Sequence, residues 1–410
     1  MRRDTVVFRS SDGRPRPLPA LVGSTAEPNR ILPLRSQVTV TRRRRRWLLA
    51  LVGLLAARAT PALDLGGGWI GDFGVVADGG LERGRTHWGL VELTLDHTST
   101  AGGRTLLWHV TAQHVYGGGF SERWVGDLQT VSNIDAETGT RALEAWVEIP
   151  VANNASLRGG RYDLNSEFDV VPAAALFLSS SQGIGADLSQ SGAAGPSIFP
   201  RTALGLRVDY RSGRHSLVRG AVLDIEATPQ ADDGDGVPFN NGPLLALEFE
   251  RAVGRTTGFK AGAWGFTRNR PPLDANEDRE KQYGAYAMIE HRFGEALVAY
   301  GRVGFANDDV SRIARYLGGG VVYEQGLLPR ADDVVGLAIG HARNGAPYRA
   351  ALRTDGTATT AAETAIELTW RIPLGGHFAL QPDVQYVIDP DTDPAIGDAL
   401  VVMLRLEASL

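Results

Sequence analysis

Residues 158–170, RGGRYDLNSEFDV, place Arg161, Asp163, Asn165, Glu167 and Asp169 at every second position. Tyr162, Leu164, Ser166, Phe168 and Val170 fall between them. On a strand, successive side chains point to opposite faces, so this reads as one charged face and one largely apolar face. Guanidinium, amide and carboxylate groups spaced in this way form a line of hydrogen-bond donors and acceptors. Such a face needs water beside it, either bulk solvent or a water-filled hole.

Neighbouring segments repeat the pattern. RALEAWVEIP sets Glu144, Trp146 and Glu148 against Leu143, Ala145, Val147 and Ile149. TALGLRVDY sets Arg207 and Asp209 against Leu204, Leu206, Val208 and Tyr210, and near the C-terminus Gln381, Asp383 and Gln385 share a parity. Trp146 is the informative residue, because an indole on the charged side is not what an apolar wall requires. Its plainer role is to fill volume against an inward loop. The plainer role of the charges is to pair with one another.

The elements that carry these residues are roughly ten-residue alternating segments separated by Gly, Asn, Asp and Pro. About fifteen such segments follow Arg85, with no sustained amphipathic helix and no compositional break. Ten residues is the length with which a tilted strand crosses a bilayer. Aromatics such as Tyr210, Trp370, Phe378 and Tyr386 sit near segment ends, where interface girdles form. The last segment alternates through Leu400, Val402, Leu404, Leu406, Ala408 and Leu410 to the end of the chain, as a closing strand would. The pattern predicts an all-β, transmembrane, antiparallel up-and-down barrel; a soluble sandwich or propeller is the alternative. The long, weakly periodic stretch 171–200 is expected to be an inward or rim loop. Residues 228–243 and 268–281 read as exposed loops.

Bulk composition agrees. A mean hydropathy of −0.13 excludes a polytopic helical membrane protein but not a barrel, whose apolar face is hidden by alternation. No cysteine is present, which removes disulfides, thiolate metal ligands and thiol nucleophiles. Arg42–Arg46 precede an apolar run from Trp47 to Ala57, and small residues near Ala59 and Ala62 offer a cleavage site. This is the order of a secretory signal over 42–62, with a short membrane anchor as the alternative. Residues 1–41 read as an over-extended start or a disordered leader, and 63–85 as a periplasmic segment ahead of a barrel over 86–410. Without residues 1–62 the chain holds 29 basic and 44 acidic residues, a net charge of −15, with Lys260 and Lys281 as its lysines. That balance argues against nucleic acid as a partner.

Other motifs fail. ADDGDG (231–236) lacks the ligand spacing and closing Glu of an EF-hand. His109 and His114 fall on opposite strand faces, so no metal pair forms between them. GIGADL (183–188) lacks the final Gly of a dinucleotide fingerprint, and G-x-S-x-G is absent. No cofactor or metal is expected.

Taken in order, GDFG (71–74), GGGFSERWVGDLQTVSNIDA (117–136), EAWVE (144–148), LRGGRYDLNSEFDV (157–170), ALFLSSSQGIG (175–185), GPSIFPRTALGLRV (195–208) and QPDVQYVIDP (381–390) resemble the OprB-type carbohydrate-selective porins of Gram-negative outer membranes. The resemblance covers essentially the whole chain after the signal, with generic wording from about 215 to 375. It implies a sixteen-stranded outer-membrane barrel that passes monosaccharides, glucose above all, by facilitated diffusion, without catalysis. It also implies outer-membrane lipid and lipopolysaccharide, small sugars and the barrel-assembly machinery as partners; a homotrimer is one assembly it allows, and the sequence leaves the oligomeric state open. The terminal Leu410 departs from the aromatic that usually ends such barrels. On this reading Glu144, Trp146, Glu148, Arg161, Asp163, Asn165, Glu167, Arg207, Asp209, Gln381, Asp383 and Gln385 are the candidate pore lining. Trp146 would stack on sugar while Arg161 and Glu144 or Glu167 hold hydroxyls. A general or cation-preferring porin is the runner-up, and a barrel-embedded hydrolase or a structural outer-membrane protein are readings of other classes.

Overall fold

The computed structural model describes residues 63–225, 239, 242–273, 280–326 and 332–410. The leader, the signal with its cleavage near Ala59 or Ala62, and most of 228–243 with ADDGDG lie outside those residues.

Sixteen antiparallel strands close into one barrel. In chain order they are β1 (Asp64–Gly80), β2 (Gly84–Ala101), β3 (Arg104–Tyr116), β4 (Gly139–Ala152), β5 (Ala155–Tyr162), β6 (Ala203–Ser212), β7 (Ser216–Leu223) and β8 (Leu244–Val253). The second half is β9 (Thr257–Arg270), β10 (Glu280–Phe293), β11 (Leu297–Ala306), β12 (Ile313–Tyr323), β13 (Val334–Asn344), β14 (Ala362–Pro373), β15 (Phe378–Ile388) and β16 (Gly397–Ser409). Each strand pairs with its sequence neighbours, and β1 closes on β16 with Phe73 opposite Leu404. Closure satisfies every strand edge, as a bilayer demands of any sheet that crosses it.

The alternation sets the faces. On β6, Leu206 is 46% exposed and Arg207 2%, and Leu204, Val208 and Tyr210 share the outward side. Val91 and Leu93 on β2, Trp108 and Val110 on β3, and Val402 and Leu404 on β16 continue this apolar outer band. An apolar exterior around a polar interior is the inverse of a soluble sheet protein and the signature of a membrane barrel.

Two expectations are corrected here. Residues 63–85 are not a separate periplasmic segment, because β1 is a wall strand bonded on both edges. Glycines at outward positions 67 and 71 dilute its apolar period, while inward Asp72 is held by Arg405 at 2.7 Å. The alternating run 161–170 is not one strand either. β5 ends at Tyr162, and Asp163 caps a short turn over Leu164–Ser166 by accepting a 2.9 Å hydrogen bond from the Asn165 backbone N–H. Asn165 then donates to the carbonyls of Phe168 (3.0 Å) and Gly183 (3.2 Å). Asp and Asn offer the backbone local partners that compete with a strand ladder, and here they win. Consequently Tyr162, Leu164 and Phe168 lie in a buried core rather than on the lipid face.

The barrel has two different ends. One carries short connections, such as 102–103, 153–154 and 213–215; the other carries the longest ones, 117–138 and 163–202. As expected for 171–200, the second of these long loops runs through the interior. Its Phe168, Val171, Phe177 and Leu188 pack against Trp264, Phe266, Tyr286 and Tyr300 of the wall. Gly336 on β13 makes room: a Cβ there would lie 2.7 Å from the Phe177 ring.

Wall carboxylates and amides hold both loops by their backbones. Glu248 accepts from Asp169 N–H at 2.9 Å, Glu290 from Ala173 N–H at 2.8 Å, and Glu367 from the N–H groups of Leu178 and Ser179. Glu363 does the same for Leu128 and Gln129 of loop 117–138. Each such hydrogen bond contributes about 0.5–1.5 kcal/mol net, and a buried N–H left without its acceptor costs about 1–3 kcal/mol, so these clamps fix the loops where a merely apolar contact would let them slide.

Candidate functional site

Where loop 163–202 comes off β5 it meets a ladder of charges on the inner face of β4–β8. Arg158 on β5 bonds Glu148 on β4 at 2.8 Å. Arg207 on β6 reaches Glu148 (3.1 Å), Asp209 (3.3 Å) and the loop residue Glu167 (2.8 Å). Arg219 on β7 bonds Asp209 at 3.0 Å and lies 3.7 Å from both Glu167 and Glu248. Glu167 thus sits among three arginines, 3.4 Å from Arg158, and it also accepts from the Tyr162 hydroxyl at 2.6 Å. Burial works against its ionisation, but Arg219, Arg158 and Arg207 outweigh it and hold the carboxyl well below the usual range.

Aromatic rings continue the ladder. Trp146 on β4 stacks on its cross-strand partner His109 of β3 at 4.9 Å, and the Arg158 guanidinium lies 3.7 Å over the Trp146 ring. Because β4 lies between β3 and β5, the two partners approach the indole from its two neighbouring strands. Gly160 opposite Trp146 is required: its φ is +141°, and a Cβ would lie 2.6 Å from Trp146 Cα.

Of the residues singled out from sequence, Glu144, Trp146, Glu148, Glu167, Arg207 and Asp209 come together on this wall. Glu144 Oε1 accepts from Asp163 N–H at 3.2 Å, and His109 is 3.7 Å away. Arg161 does not join them. It pairs with Ala145 and Leu204 on the outward parity, and its guanidinium turns back to donate to Thr202. Asp163 and Asn165 serve the turn already described. Gln381, Asp383 and Gln385 face inward on β15, yet the loops cover them. Gln381 donates to the Leu176 carbonyl (2.7 Å), and Gln385 to the Val131 carbonyl (2.8 Å) and Asp383 (3.0 Å).

Arg158, Arg219, Glu248 and His109 were missed. The first was lost to a phase error of one residue: the inward positions of β5 are 158, 160 and 162. A slip of one residue turns every side chain to the other face. The signal present was the glycine pair 159–160, which breaks the apparent alternation before Arg161.

At the long-loop end, a cavity of about 430 Å³ opens between the two loops, lined among others by Asp135, Glu137, Gln190, Phe199 and Arg201. Arg201 pairs with Glu137 at 3.2 Å on its rim. The loop 171–200 therefore contributes both to the interior packing and to this mouth.

A closed sixteen-stranded barrel, apolar outside and charged inside, with a long loop folded into its bore, defines an outer-membrane porin. The comparisons narrow the class. A family model described as carbohydrate-selective porin, OprB family, matches residues 89–410, and the chain belongs to that family. Among solved structures, OprB of Pseudomonas putida at high pH aligns with a TM-score of 0.73 over 85% of this chain and 94% of that one, at 14% identity. The outer membrane channel DcaP of Acinetobacter baumannii aligns with a TM-score of 0.60 over 87% and 99%, at 12% identity. A mutant of Rhodopseudomonas blastica porin gives 0.54 over 85% and 100%, at 12% identity. At such identities these neighbours share the fold. A search of curated proteins found no match. The chain is an outer-membrane channel for carbohydrates.

Proposed function

We propose that the channel passes neutral monosaccharides of the glucose type by passive diffusion, and that the β4–β8 ladder is the contact surface. The observation that carries this is charge compensation around Glu167. Three arginines face four carboxylates within bonding distance of one another. A wall so balanced offers little net field to an ion. Its least buried members, Glu148, Glu167, Arg158 and Arg219, still present fixed donors and acceptors to hydroxyl groups, and Trp146, its ring stacked on His109 and covered by the Arg158 guanidinium, holds that guanidinium in place. Contact of this kind favours a solute without trapping it. The excess of acid over base on the lumen faces assigned from sequence supports the cation-preferring reading; the local pairing favours a neutral solute. Assembly as a homotrimer, insertion by the barrel-assembly machinery and removal of the signal near Ala59 or Ala62 belong to the same proposal.

The test is single-channel conductance in a planar bilayer with glucose titrated in. Glucose should reduce ion current in a concentration-dependent way. Trp146→Ala should weaken that block severalfold, whereas Arg161→Ala, on the outer parity, should leave it unchanged. Ion current indifferent to glucose would sink the proposal.

A further inference from the structure

The outer wall of β10–β13 carries a feature that sugar passage does not use. Arg315 on β12 and Arg343 on β13 are direct cross-strand partners, both point outward and both are exposed. Like charges placed directly opposite each other on a sheet repel. Neither guanidinium has an ion pair or a hydrogen bond to any described residue. Arg312, by contrast, sits three residues before Arg315 and is paired with Asp391 at 2.6 Å. The cross-strand neighbours of the two on their other sides are Phe305 and Ala362, which offer no acid.

The pair lies in a groove of about 700 Å³ on the outer surface, whose outward lining includes Ala285, Ala287, Val303, Phe305, Leu317 and His341. His341 is already bonded through Nδ1 to Thr364 at 2.8 Å, which leaves the two arginines as the free cations of the groove among the described residues. Below them the wall is apolar through Leu317, Leu337 and Ile339. The arginines stand at the long-loop end of their strands, since β12 begins at Ile313 and β13 ends at Asn344. From Tyr323 to Arg315 the strand rises about 26 Å, or about 20 Å along the barrel axis at a tilt of about 40°. An outer-membrane barrel has an apolar band about 25 Å tall, so the pair falls near its upper edge, at headgroup depth.

We infer that Arg315 and Arg343 clamp a phosphate of a phosphorylated, multiply acylated glycolipid in the outer leaflet, with its acyl chains laid along the apolar groove. Two forked guanidinium groups suit a phosphate, whose oxygens accept bonds from both and cancel the repulsion between them. The small side chains of Ala285 and Ala287 give the chains a shallow bed. The apolar lining selects the lipid over free phosphate.

The test uses the full barrel in detergent, with lipid A carrying both phosphates, the same lipid enzymatically dephosphorylated, and inorganic phosphate as three separate probes, read by native mass spectrometry and by displacement of a fluorescent lipid. Intact lipid A should bind at least tenfold more tightly than the dephosphorylated form, and inorganic phosphate should not compete below millimolar concentration. R315Q/R343Q should lose at least tenfold in affinity. R315K/R343K should keep a salt-sensitive part of it, and both variants should keep wild-type heat-modifiable migration and glucose block. Equal binding of the two lipids, full binding by the glutamine variant, or competition by dilute inorganic phosphate would each overturn the assignment. Because glucose block is read in the same variants, failure here is separable from failure of the sugar reading.

Discussion

Replacing Arg207 removes the centre of the ladder. Its guanidinium contacts Glu148, Glu167 and Asp209 within 3.3 Å while only 2% of its side chain is exposed. In Arg207→Met these three carboxylates are left with Arg158 and Arg219, so the ladder moves from three cations against four anions to two against four. Breaking a buried pair by deleting one partner costs about 3–5 kcal/mol, which should lower thermal stability in detergent without preventing folding of a sixteen-stranded barrel. An ion passing about 8 Å from the lost charge, at an effective dielectric of about 40, feels a change of about 1 kcal/mol, favourable for a cation and unfavourable for an anion, or about thirtyfold in cation over anion permeability. The assay is the zero-current potential across a bilayer in a salt gradient, measured with glucose block in the same channels. The variant should turn cation-preferring and lose block. Arg207→Lys should retain ion selectivity but still lose block, because an ammonium cannot span three acceptors as a fork does. Arg207→Met combined with Glu167→Gln restores the net charge and should restore ion selectivity while block remains lost. An unchanged zero-current potential in the single variant, together with wild-type block, would refute the account of the ladder.

Two further outcomes follow from the loop. Glu367→Ala removes both oxygens that accept from the Leu178 and Ser179 N–H groups, a loss of about 1–3 kcal/mol in loop anchoring, and should raise current noise and protease cleavage within 163–202; quiet current and unchanged cleavage would count against the clamp. Asp187 lies in the inward loop, where burial and then the neighbouring Asp169 push its carboxyl up to about 7. A folded value above the unfolded one contributes stability at low pH that is lost as pH rises from about 4 to about 7. Unfolding temperature in detergent should therefore fall across that window, and Asp187→Asn should flatten the fall; parallel profiles would refute it.

Much of the barrel was legible because strand period and membrane burial write the same two-residue rhythm. Leu204, Leu206, Val208 and Tyr210 against Arg207 and Asp209 read correctly in β6 because a wall strand has one environment per face. The same rule failed at 161–170, where Asp163 and Asn165 turned an alternating string into a capped loop. It also failed at β1, where outward glycines hid a wall strand. The inner assignments of Gln381, Asp383 and Gln385 were right in direction and wrong in surroundings, since nothing local announces that a loop from the far side of the barrel will cover them.

The sequence by itself determined the period, the two faces, the number of segments to within one, and the segments able to leave the wall. Alternation is a local property, fixed by side-chain direction and by what each face must touch. Which charges meet was decided only by tertiary structure. Arg158, Arg207 and Arg219 stand on three different strands, and their shared partner Glu167 comes from a loop. Their meeting depends on barrel register and on wall carboxylates that catch loop backbone, both of them long-range pairings that no short window of residues contains.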